Sequence, residues 1–88
     1  AKGKPLADKY HVKEIYLFGS YARGEADENS DLDFLVYGGE KFKRTMIFAL
    51  AEDLRETLEK KVDVFEIGEV NPDSNFYKTI MKEKVLVA

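Results

Sequence analysis

Phe18-Gly19-Ser20-Tyr21-Ala22-Arg23-Gly24-Glu25-Ala26-Asp27-Glu28-Asn29-Ser30-Asp31-Leu32-Asp33-Phe34-Leu35-Val36 is the stretch that decides the fold. It leaves an apolar run (Ile15-Tyr16-Leu17-Phe18), turns at Gly19-Ser20, crosses a polar loop and enters a second apolar run at Asp31. On a strand, side chains alternate between faces, so Asp31 and Asp33 share one face and Leu32 takes the other. Two like charges on one sheet face are costly unless a cation lies between them. A divalent metal ion suits such oxygen ligands. Gly19-Ser20 offers a tight turn, backbone N–H groups and a hydroxyl, a combination suited to phosphate. A metal beside a phosphate points to nucleotide chemistry.

Simpler readings exist for each of these residues. Gly19-Ser20 alone would serve as a helix N-cap. Arg23 either orients an acidic side chain such as Glu25 or Asp27, or helps hold the carboxylates or a phosphate; its directional guanidinium favours the second role. Gly19 and Gly24 have the glycine spacing of a P-loop, but Glu25-Ala26 stands where Lys and Ser/Thr are required. Asp27-x-Asn29-x-Asp31 begins like an EF-hand, yet Leu32 replaces the needed Gly and Gly38 the bidentate Glu. Neither motif is present.

Working outward, Pro5 to His11 predicts a short helix, with Pro5 in its first turn. Glu14 to Phe18 predicts a strand that is apolar on both faces and therefore internal. Ser20 to Arg23 predicts one helical turn closed by Gly24 in the left-handed region. Asp31 to Tyr37 is the second strand, ended by Gly38-Gly39, with Ser30 bracing the loop before it. Phe42, Met46, Leu50, Leu54 and Leu58 recur every four residues, joined by Ile47, Ala49 and Ala51. They predict a helix over 41–60 with a core-facing stripe. The opposite face, with Glu52, Asp53, Arg55, Glu56 and Glu59, is read as solvated. Lys61 to Ile67 predicts a third strand, with Val62 and Val64 on one face and Asp63 and Phe65 on the other. Asp63 alone would be an ordinary surface residue; beside Asp31 and Asp33 it becomes a site candidate. Asn71-Pro72-Asp73-Ser74 is a turn whose Asp73 or Ser74 caps a final helix burying Phe76, Ile80 and Met81. Val85-Leu86-Val87 forms a fourth short strand or a docked tail. His11, the one histidine, is read as structural or solvent-facing.

Eighty-eight residues make one domain with a single small core, read as α/β (α+β): a small mixed β-sheet with helices packed on it. Residues 1–5, in a chain beginning without Met, are read as a disordered or appended leader. The net charge of −3 argues against an extended nucleic-acid surface. The absence of Cys removes disulfide, thiol and zinc-thiolate chemistry and fits a cytoplasmic location. No apolar run suggests a membrane span. Oligomerisation is left open.

Gly19-Ser20, ten intervening residues and Asp31-x-Asp33 resemble the signature of the DNA polymerase β-type nucleotidyltransferase superfamily. The fuller run G-S-Y-A-R-G-E-A through S-D-L-D, in so short a chain, resembles its minimal nucleotidyltransferase branch. That branch includes antitoxins encoded beside HEPN-domain toxins. The resemblance runs from about Val12 onward and includes Lys61-Val62-Asp63-Val64, where the family carries a third carboxylate.

It implies the nucleotidyltransferase fold and ATP as substrate. It also implies two Mg²⁺ ions on Asp31, Asp33 and Asp63, with Asp63 completing the acceptor-side metal and taking the acceptor's proton directly or through that metal. Gly19 and Ser20, with Arg23 in support, would anchor the outgoing phosphates. The implied partner is a HEPN-domain toxin that accepts AMP and is silenced by it. Two alternatives remain at this stage: an antitoxin that occludes its partner without catalysis, and a small-molecule transferase acting on a drug hydroxyl. Eighty-eight residues leave no room for the template-holding parts of a polymerase.

Overall fold

The sheet is mixed, with strand order β3-β2-β1-β4. In the computed structural model, which describes residues 4–87, helix α1 (Lys4–Lys9) leads into β1 (Val12–Phe18), and α2 (Ser20–Arg23) precedes β2 (Leu32–Gly38). Helix α3 (Met46–Leu58) crosses to β3 (Val62–Glu66), and a 3-10 turn (Ile67–Glu69) leads to α4 (Asn75–Glu83) and β4 (Val85–Leu86). Lys4 and Pro5 open α1; residues 1–3 of the expected leader lie outside the described residues. β1 runs antiparallel to both β2 and β4, whereas β2 and β3 are parallel. A parallel pair needs a crossover of a dozen or more residues, and the segment containing α3 supplies it. The C-terminal apolar run resolves as a strand, with Leu86 opposite Tyr16 and Val85 opposite Leu17.

Alternation gives the sheet two different faces. Ile15, Leu32, Phe34, Val36 and Val62 pack with Ala7, Leu50 and Leu54 beneath α1 and α3. Phe18 and Leu35 turn the other way and meet Val70 and Ile80, with Tyr16, Phe65, Tyr77 and Met81 around them. Ile15, Leu35, Val36, Leu50 and Ile80 are the largest fully buried side chains. Burying each contributes about 1.5–3 kcal/mol. The sheet therefore has helices on both sides, and α4, with Ile67 and Val70 of the turn before it, covers the face to which Asp33 belongs.

Four expectations need correction. Helix α3 begins at Met46, not Lys41. Residues 39–45 form successive turns, with Phe42 N–H donating to Gly39 O and Met46 N–H to Lys43 O. Phe42 keeps its place in the hydrophobic stripe by packing on Gly38, where a Cβ would collide with its ring. Ala49 is exposed, and Asp53 is not purely solvated: it accepts from Tyr10 Oη and from Lys9 Nζ, tying α3 to α1. Phe76 is 44% exposed, although its ring meets Phe18 and Phe65 edge-on. Ser74 caps α4 as expected, its Oγ accepting from Tyr77 N–H at 3.1 Å.

Candidate active site

Asp33 and Asp63 are direct partners across the parallel β2–β3 pair. Their Cα atoms are therefore about 4.8 Å apart and their side chains leave the same face. The flanking residues explain why: Leu32 and Val62 are themselves partners and are buried on the opposite face. Asp31 immediately precedes β2 and is exposed. On the other side of Asp33 lies Phe18, its antiparallel partner and the last residue of β1. The chain then turns at Gly19 directly against Asp33, so a Cβ on Gly19 would run into Asp33 Oδ2. Gly19 also has φ 81° and ψ −156°, a region that only glycine enters readily. Two independent constraints thus exclude a side chain there.

The carboxylates repel one another. Burial pushes the Asp33 carboxyl above its ordinary value, and the charges of Asp63 and Asp31 push it further. Arg23 opposes the shift, and Glu83 adds to it. None of Asp31, Asp33 and Asp63 has an ion-pair partner among the described residues. Nor, among the described residues, are three His, Cys, Asp or Glu gathered closely enough to hold a metal ion. The donor chemistry still fits Mg²⁺: Asp33 and Asp63 offer hard carboxylate oxygens on one face, with Asp31 just before β2.

Helix α2 is a single turn. Gly19 occupies its N-cap without a side-chain cap bond, and Ser20 Oγ has no hydrogen-bond partner among the described residues, so capping does not account for this serine. Gly24, at φ 73°, closes the turn as expected. Arg23 takes the acid-orienting arrangement, but with Glu25 and not Asp27. Its Nε donates to Glu25 at 3.0 Å and its Nη1 to Glu83 at 2.8 Å. Asp27 instead accepts from Asn29 N–H at 2.8 Å and from Ser30 Oγ at 3.2 Å. Ser30 Oγ in turn accepts from Asp27 N–H at 3.0 Å, the brace expected of it.

The sequence reading missed Glu83. It sits 60 positions from Arg23, and nothing local marks one Glu in an amphipathic helix. His11 is exposed at φ 59° between α1 and β1 and belongs to no site. An apolar hollow of about 420 Å³, lined by Leu6, Ile15, Leu17, Leu32 and Phe34, opens on the face away from the carboxylates. It is an incompletely filled margin of the core, and Thr57 is the one polar side chain in its lining. The described helices include none long and apolar enough to cross a membrane.

Known proteins agree with this architecture. The family of polymerase beta nucleotidyltransferases matches residues 2–88. The protein adenylyltransferase MntA of Thermococcus cleftensis is 38% identical over 87 residues, covering 99% of this chain and 86% of its own length. A solved structure assigned as a minimal nucleotidyltransferase superposes with a TM-score of 0.81 at 29% identity, covering 94% of this chain and 83% of that one. A chain from the complex of tri-AMPylated Shewanella oneidensis HEPN toxin with its MNT antitoxin superposes with a TM-score of 0.62 at 21% identity. That match covers 86% of this chain and 56% of the other, and it shows likeness of fold.

Proposed function

The chain belongs to the polymerase β nucleotidyltransferase family, and on that premise we propose that it transfers AMP from ATP to a HEPN-domain toxin, as the antitoxin of that pair. The observation that carries this reading is the in-register pair Asp33–Asp63, with Gly19 packed against the first carboxylate. The names of the relatives, an adenylyltransferase and an AMPylated HEPN complex, support the nucleotide and the acceptor.

In the reaction, an acceptor oxygen attacks the α-phosphorus of ATP. A new P–O bond forms, the bond to the β-phosphate breaks, and pyrophosphate leaves with the electron pair. Asp31, Asp33 and Asp63 would hold Mg²⁺. Two such ions, when bound, supply charge neutralisation for nucleophile and leaving group. Asp63 is the carboxylate assigned to the acceptor side and to its proton. Ser20 Oγ and the backbone turn at Gly19 are the donors for the outgoing phosphates. The positive charge of Arg23 is felt at Asp33, where it offsets part of the upward shift.

The test is label transfer from ATP carrying a radioactive α-phosphate, with Mg²⁺, into a lysate that contains the partner. One labelled protein band with the parent and none with Asp33→Asn is the expected result. Label in RNA or in a small molecule would keep the chemistry and reject the toxin as acceptor. No label, with partner demonstrably bound, would establish inhibition by occlusion instead.

A further inference from the structure

Glu83 ends α4, and its side chain is only 14% exposed, yet it carries a carboxylate to within 2.8 Å of Arg23 Nη1. Among the described ion pairs it is the most enclosed partner. A carboxylate so placed would be left without compensation if Arg23 swung away, so the pair is held more firmly than an ordinary surface contact. Glu25 engages Nε of the same guanidinium. Two acids on Nε and Nη1 fix the plane of a rigid fork, and Nη2 has no hydrogen bond among the described residues.

The pair is not the only contact that seats α4. Ile80 is buried, and Lys84, just after the helix, lies over the Tyr16 ring at 4.0 Å and the Tyr37 ring at 5.3 Å. The C-terminal end of α4 is therefore already fastened to the sheet. What Glu83 adds is a fixed position for the Arg23 guanidinium at the end of α2, the turn that follows Gly19.

We propose that Glu83 is a positioning residue of the nucleotide site: it holds the Arg23 guanidinium immobile, so that the triphosphate meets a preorganised donor. The inference rests on the nucleotidyl-transfer reading and on Arg23 serving the phosphates. Fixing the long Arg side chain in advance removes an ordering cost from nucleotide binding.

The experiment measures binding of an ATP analogue with a methylene α–β bridge, with Mg²⁺, by calorimetry. It uses the parent, Arg23→Ala, Glu83→Gln and the double variant, each checked by its melting temperature. Arg23→Ala should weaken binding roughly tenfold or more, the loss of a charge-assisted bond. Glu83→Gln should weaken it about threefold to tenfold, and Glu83→Asp less than that. In the Arg23→Ala background, Glu83→Gln should have no further effect, because Glu83 acts only through Arg23. Unchanged affinity in Glu83→Gln, or additive losses in the double variant, would overturn the proposal. If Glu83→Gln melts well below the parent, the same comparison is made with Glu83→Met, which keeps helix propensity and length. A parent that binds no nucleotide at all would instead reject the nucleotidyl-transfer reading, and this inference with it.

Discussion

At the scale of single residues, Asp33 is held where its own charge is unwelcome. Its folded-state pKa is raised from 3.8 by burial and by Asp63 and Asp31, so the folded chain binds that proton more tightly than the unfolded chain. Stability therefore falls as pH rises from 3.8 through the raised value, and levels off above it. Without metal, Asp33→Asn should melt above the parent at pH 7, with the two curves converging at or below pH 3.8 in a pH series of thermal melts. Mg²⁺ with nucleotide should raise the melting temperature of the parent and leave that of Asp33→Asn unmoved. Gly19→Ala places a Cβ against Asp33 in a backbone region reserved for glycine; urea unfolding should show a loss of about 1–3 kcal/mol, and label transfer should fail. The candidate site residues stand out in the sequence to different degrees. Asp31 and Asp33 are proposed from period-two alternation, and Asp63 only from its company with those two and from the family resemblance. Glu83 does not stand out, because its contact with Arg23 forms only when α4 folds back across the sheet.

Among the elements, α4 depends on two small features. Its Ser74 cap satisfies Tyr77 N–H, so Ser74→Ala should cost about 1 kcal/mol in urea unfolding. Ile80 is 1% exposed, so Ile80→Ala should cost about 2–5 kcal/mol. A smaller loss at Ile80 would mean that α4 closes over the cavity left behind. Helix α3 shows the limit of reading elements from spacing. Phe42 stands four residues before Met46 and continues the stripe in sequence, but Gly38-Gly39 lets the chain bring Phe42 onto the strand end without a helix. Burial periodicity records which residues reach the core; it does not record the backbone path that takes them there. Where the backbone is regular and the signal local, as in β1, α2 and β2, expected and observed bounds agree within about two residues.

For the molecule as a whole, the two hydrophobic clusters lie on opposite faces of one sheet and share only its strands. Eighty-eight residues give little core to divide, so the layers should unfold together. Far-ultraviolet circular dichroism and tyrosine fluorescence, with Tyr10 on one side of the sheet and Tyr77 on the other, should give coincident melts. Separate midpoints would show that α4 can detach alone. The pairing of Asp33 with Asp63 has a bearing on how the chain avoids folding wrongly. A slip of β3 by one position would exchange its two faces, turning Asp63 inward among Leu50, Leu54 and Leu58 and Val62 outward. Burying an unpaired carboxylate there would cost several kcal/mol, a large share of the stability of so small a domain. The misaligned sheet is thus penalised by the same carboxylate that we assign to the chemistry, and Asp63 acts as a safeguard of strand register before any ligand has bound.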